Sequence, residues 1–199
     1  LLTLFLSVVL FTSAHAATEV LNNNGGQCAF DGANGGLTVY AGGNSQFQVE
    51  RCSADGTTSK ARQFYFTGDI PPSGSLYNST VLKIGTAVFG ANTTWAGATA
   101  FTEVSSSGGS ALGDGQTITV YSATQGGLTY TITQTVDYVF PNDFYRVRLD
   151  VDVPAGNTQD VKLYSWTDIM LDGDDYGSCS REGTFPEYII ADNSAATLY

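Results

Sequence analysis

A strict every-second-residue rhythm between Leu128 and Val153 constrains this chain more than any other feature. Leu128, Tyr130, Ile132, Val136, Tyr138 and Phe140 fall on one side of an extended backbone. Thr129, Thr131, Thr133, Thr135 and Asp137 fall on the other. A period of two belongs to a strand with one buried face. Pro141-Asn142-Asp143 interrupts the pattern, which resumes with Tyr145, Val147, Leu149, Val151 and Val153 against Arg146, Arg148, Asp150 and Asp152. After the turn Pro154-Ala-Gly-Asn157 a third run extends from Val161 to Met170. Together these runs predict a three-stranded antiparallel meander ending in the acidic loop Asp172-Gly-Asp-Asp-Tyr-Gly177.

The remaining chain reads as short alternating runs between turn clusters. They cover 27–30, 37–40, 46–51, 61–67, 81–89, 98–104, 117–121, 187–191 and 196–199, with the Ser/Gly-rich stretch from Ser105 to Gly115 expected as a hairpin connection. A turn roughly every ten residues predicts an all-β fold, an antiparallel β-sandwich. No window carries apolar residues at helical spacing, and no internal repeat or heptad is present. Residues 17–199 are expected to form one domain. The terminal run Ala195–Tyr199 resembles an unfinished strand, so the sequence reads as a fragment cut at its C-terminus.

The first sixteen residues hold an apolar run closed by Ala14-His15-Ala16, the pattern of a secretory signal peptide cleaved after Ala16. Its start lacks a Met and a charged segment, so it reads as truncated. The eleven residues before Thr12 fall short of the roughly 20 that a membrane span requires. No membrane insertion of the mature chain is expected, and the localisation implied is secreted, extracellular or cell-surface. The net charge is −11, with 8 Lys and Arg against 19 Asp and Glu, which disfavours nucleic acid and anionic membrane as partners. In an exported chain Cys28 and Cys52 are the expected disulfide pair. Closing that loop would stabilise by about 3 kcal/mol in the chain-entropy model. Cys179 is left over, and three reduced, buried thiols are the alternative. Asn78-Ser-Thr80 and Asn92-Thr-Thr94 match the N-glycosylation pattern, which has meaning only in a eukaryotic host.

The only His is His15, inside the expected signal peptide, so triad chemistry and His-ligated metals find no residue in the mature part. Asp168, Asp172, Asp174 and Asp175 form the best candidate metal set, because calcium takes oxygen ligands at turn-like spacing. The run is not an EF-hand, and a solvated acidic loop is the competing reading. A third reading is glycoside hydrolysis by paired carboxylates among Asp168, Asp174 and Glu182. Tyr164, Trp166 and Asp168 share one face of the third run. Sugar-binding modules stack aromatic rings on pyranose faces, so Tyr164 and Trp166 are candidate ligand contacts. Val161, Leu163 and Ile169 occupy the opposite face, and apolar groups on both sides predict a central, covered strand. Trp95, in the loop Asn92-Thr-Thr-Trp-Ala-Gly97, is a further candidate contact. The Thr row 129–135 is the kind of array that binds ice when stacked in a flat solenoid. On a single strand it reads as a solvated face.

The segment Asp143-Phe-Tyr-Arg-Val-Arg-Leu-Asp-Val-Asp-Val-Pro-Ala-Gly-Asn157 with Val161-Lys-Leu-Tyr-Ser-Trp-Thr-Asp168 resembles the long-stranded meanders of extracellular bacterial β-sandwich modules. It is also similar to the galactose-mutarotase-like supersandwiches of carbohydrate enzymes. The resemblance implies architecture only, since those enzymes use catalytic His residues and the mature part here has none. The function expected is a secreted, non-catalytic β-sandwich module that binds carbohydrate, calcium or another extracellular protein. The alternatives are a carbohydrate-active enzyme or its accessory domain using the acidic residues 168–182, and a purely structural module.

Overall fold

The computed structural model describes residues 18–22, 36–42, 44–52, 60–62, 66–67, 75–76, 78–91, 98–110, 113–142, 144–167, 178–182, 188–192 and 197–198. For residues 47, 51–78 and 166–198 only the backbone is described. The expected signal peptide lies outside these residues.

In chain order the strands are β1 (Thr18–Leu21), β2 (Leu37–Gly42), β3 (Phe47–Cys52), β4 (Lys60–Arg62), β5 (Phe66–Thr67), β6 (Ser75–Leu76), β7 (Asn78–Ile84), β8 (Ala87–Gly90) and β9 (Thr99–Ala100). They continue as β10 (Thr102–Gly108), β11 (Gly115–Gln125), β12 (Leu128–Tyr138), β13 (Tyr145–Asp152), β14 (Val161–Thr167), β15 (Ser178–Glu182), β16 (Tyr188–Asp192) and β17 (Thr197–Leu198). No helix occurs among the described residues, and none there is long and apolar enough to cross a membrane. The expected all-β class is therefore correct.

The largest sheet has the order β10-β11-β12-β13 and is antiparallel throughout. Its centre is the hairpin of β11 and β12, joined by Gly126-Gly127 with both residues at positive φ. Two left-handed residues in a two-residue loop match the right-handed twist of the flanking strands. The alternation read from sequence holds here: Tyr130, Ile132, Val136 and Tyr138 are buried, and Tyr145, Val147, Leu149 and Val151 are half-buried at the edge. On the opposite face the Thr row grades from exposed Thr129 to Thr135, which is only 5% exposed between Ile118 and Arg148 in the register.

Two smaller sheets cover the inner face of the large one side by side. The sheet β1-β2-β3-β4 packs Leu21, Leu37, Val39, Ala41 and Val49 against Val136 and Tyr138. The sheet β14-β7-β8-β9 packs Leu82, Ile84 and Phe89 against Tyr121, Ala123, Tyr130 and Ile132, with Phe101 alongside. Each large apolar side chain buried in this way contributes roughly 1.5–3 kcal/mol. This is a sandwich of sheets, with one long layer facing two short ones.

Four sequence expectations are corrected. The run 81–89, expected as one strand, is a hairpin of β7 and β8 that turns at Gly85-Thr86. The run Val161–Met170 was to close a three-stranded meander, but β14 pairs with β7 in the facing sheet, Val161 opposite Ile84 and Thr167 opposite Asn78. The connection from Val153 to Asp160 is long enough to cross between layers, whereas a meander would need a tight turn. The same strand was expected to be central. Among the described residues it stands at the edge of its sheet, with Lys162, Leu163, Tyr164 and Ser165 exposed. Lastly, Ser105–Gly108 is not a connection: it continues β10 past a bulge at Glu103/Ser105 and pairs with β11. An edge strand needs no apolar outer face, so its serines gave no alternation to read.

Candidate functional site

The connection that carries the chain from β13 to β14 is held from below and from the side. Asn157 Oδ1 accepts the Tyr130 hydroxyl at 2.8 Å and the Gln159 N–H at 2.9 Å, while Asn157 Nδ2 donates to the Gln159 carbonyl at 3.0 Å. Asn suits this position because its short amide mimics a turn of backbone. The Gly85 N–H, in the β7–β8 turn, donates to the Asp160 carbonyl at 2.9 Å. Gly85 sits at φ +58, and a side chain there would meet Gln159. A buried tyrosine and a neighbouring turn thus fix where β14 begins.

Beyond that anchor β14 presents a partly aromatic, charged edge. Tyr164 is 48% exposed, and Leu163 is exposed on the other face. Lys162 Nζ lies 3.1 Å from Asp160 Oδ2. That bond and the Asp160 charge hold the ammonium above the usual lysine range, with a smaller contribution from Tyr164. The face therefore offers an amphipathic ring, a cation donor and carboxylate acceptors within one turn and strand. A hydroxyl-rich ligand with an apolar face matches this set.

The register brings two further expected residues to the same ladder. Trp166 pairs with Ser79, and the adjacent Thr167 pairs with Asn78, the expected glycan acceptor, at the start of β7. The Trp166 side chain lies outside the described residues. So do Trp95, Asp168, Asp172, Asp174, Asp175, Cys28 and Asn92, and the side chains of Cys52, Asn78 and Glu182. The metal, disulfide and glycosylation expectations rest on those residues. Among the described residues no group of three or more Cys, Asp, Glu and His is placed to hold a metal ion.

The large sheet carries its own exposed charges. Asp137 accepts from Gln116 Nε2 and takes Arg146 Nε and Nη2 at 3.0 and 2.7 Å. The Gln116 amide and then Arg146 hold its carboxyl below the usual range. A general acid needs the opposite shift. Arg148 bonds Asp150 at 2.9 Å, an exposed pair of the kind that solvates a sheet face.

Sequence reading passed over one inward position. Gln134 stands between Ile132 and Val136 on the buried side of β12 and is itself fully buried. The signal was available, since the alternation places a lone amide in an otherwise apolar row.

Fold and edge together define an antiparallel β-sandwich with an exposed aromatic edge strand. Comparison of the chain with protein-family models, with curated proteins and with solved structures returned no match.

Proposed function

We propose that this chain is an exported, non-catalytic recognition module whose β14 edge binds carbohydrate. The observation that carries the reading is the exposure of Tyr164 on an edge strand, where the sequence pattern had pointed to core. A half-exposed ring on an edge strand is open to contact, and pyranose faces are a natural partner for it. Lys162 and Asp160 beside it supply the donor and acceptors that sugar hydroxyls need. The acidic run from Asp168 follows β14 directly in sequence, and its oxygen-bearing side chains at turn-like spacing support calcium as an accompanying ligand.

The test uses residues 17–199 on a glycan array, followed by titration of any hit against Tyr164→Ala. Binding that falls at least tenfold in the variant, with the melting temperature unchanged, supports the reading. Silence across the array leaves the purely structural module, and binding indifferent to Tyr164 overturns the β14 edge as the site. Millimolar calcium should raise the melting temperature, because a ligand that binds only the folded form stabilises it. No shift removes the metal.

A further inference from the structure

The two apolar clusters of the core do not meet on the floor of the sandwich. Between them the inner face of the large sheet is polar. Thr117 and Thr119 occupy successive inward positions of β11, and Gln134 stands directly opposite Thr119 on β12. All three are buried, with exposures of 0%, 1% and 0%. Thr117 Oγ1, Thr119 Oγ1 and both amide atoms of Gln134 have no hydrogen-bond partner among the described residues.

The next inward residue of β11, Tyr121, extends the row. Its hydroxyl is buried and also lacks a well-formed bond, with Thr80 of β7 as its polar neighbour. Burial pushes that phenol above the usual tyrosine range, so it stays protonated and able to donate. Above the row the two covering sheets adjoin. The β2–β3 turn reaches β7, where the Ser45 hydroxyl donates to the Thr80 carbonyl at 3.5 Å. The polar floor therefore lies under the joint between the two short sheets.

A buried polar atom without a partner costs more than a made hydrogen bond gains, and several in one place would rival the whole stability of a domain. The folded chain must therefore satisfy them. The chemistry of the row says with what. Gln134 Nε2 needs an acceptor and Oε1 needs a donor, while the hydroxyls take either role. A cation would serve the oxygens alone, and an anion the donors alone. Water serves both, and buried polar clusters are where folded proteins keep it. We propose that this row is an internal hydration site, with ordered water bridging Gln134 to Thr119 and Thr117 beneath the joint of the covering sheets.

The experiment is water-to-protein magnetisation transfer on the folded chain, together with crystallographic density beyond 1.8 Å. Expected are cross-peaks between long-lived water and the Gln134 side-chain amide, and spherical density about 2.7–3.2 Å from its Oε1 or Nε2. Absence of both overturns the proposal. So does density too large for water, or a rotation that bonds the Gln134 and Thr119 side chains directly to each other. A folded Thr117→Val, Thr119→Val, Gln134→Leu variant should lose the cross-peaks and melt no lower than the parent, because both sides of each bond are then apolar. Cross-peaks that persist in it would place the water elsewhere and overturn the assignment.

Discussion

The Tyr138 hydroxyl accepts the Leu37 backbone N–H at 2.7 Å across 101 residues of sequence, and donates to the Asn142 carbonyl at 3.0 Å. One phenol thus ties the first short sheet to the long one and closes the turn that follows β12. Its ring belongs to the apolar cluster beneath that sheet. Tyr138→Phe keeps the ring and removes both bonds, leaving the buried Leu37 N–H without its partner. The expected loss is about 1–3 kcal/mol. In urea the midpoint should fall with the slope unchanged. An unchanged midpoint would show that the bond adds nothing to stability.

Gly36 lies directly beside this contact at φ +53, and a Cβ on it would run into the Tyr138 hydroxyl and the Phe140 ring. Gly36→Ala meets both a strained backbone and a filled space, so it should cost more than about 1 kcal/mol. Two residues that share one contact are not expected to add independently. Thermal melts of Gly36→Ala made in Tyr138→Phe should show a smaller loss than in the parent, since the hydroxyl it strikes is gone. Strict additivity would argue that the backbone conformation alone sets the cost.

What was legible follows from where each pattern had a single physical cause. Tyr130, Ile132, Val147 and Leu149 read correctly because a strand with one wet face must alternate. Val161–Thr167 misled, because apolar residues on both faces fit either a covered central strand or an edge whose ring is left exposed. Only the pairing with β7 separates the two, and pairing between distant strands leaves no local trace. Val81–Phe89 read as one strand because the turn residues Gly85 and Thr86 interrupt the alternation so briefly. Gln134 was visible as a misfit in an apolar row. Tyr138 looked like ordinary core, since nothing local reveals that its hydroxyl meets Leu37.

Asn22 is a second long-range pin. It is fully buried, with φ 51, and its Nδ2 donates to the Leu37 carbonyl at 2.9 Å. Its Oδ1 accepts the Gly113 N–H at 2.9 Å, and its own N–H donates to Ser110 Oγ at 2.8 Å. Asn is among the few residues that take a left-handed backbone readily. Asn22→Gly keeps the backbone but orphans the buried Leu37 carbonyl and the half-buried Gly113 N–H, at about 1–3 kcal/mol. Asn22→Ala should be worse than Asn22→Gly, because it adds backbone strain to the same loss. Denaturant midpoints ordered parent, Gly, Ala are the expected result; Ala equal to Gly would show that the conformation is relaxed in the variant.

Asp137 sets an acid-side dependence on the exposed face of the large sheet. The Gln116 amide and the Arg146 guanidinium bond its carboxylate and hold its folded pKa below the ordinary value of 3.8. The folded chain therefore keeps the charge at pH values where the unfolded chain takes up a proton. The stabilisation is fully present above the unfolded value and is lost as pH falls through the folded one. Arg146 is largely exposed, so the pair is worth only about 0.2–1 kcal/mol at neutral pH, and less in high salt. Asp137→Asn should lower the urea midpoint slightly at pH 7. That gap should shrink below pH 3 and also in 1 M NaCl at pH 7. A gap that widened on acidification would mean that the carboxylate is not the form the fold prefers.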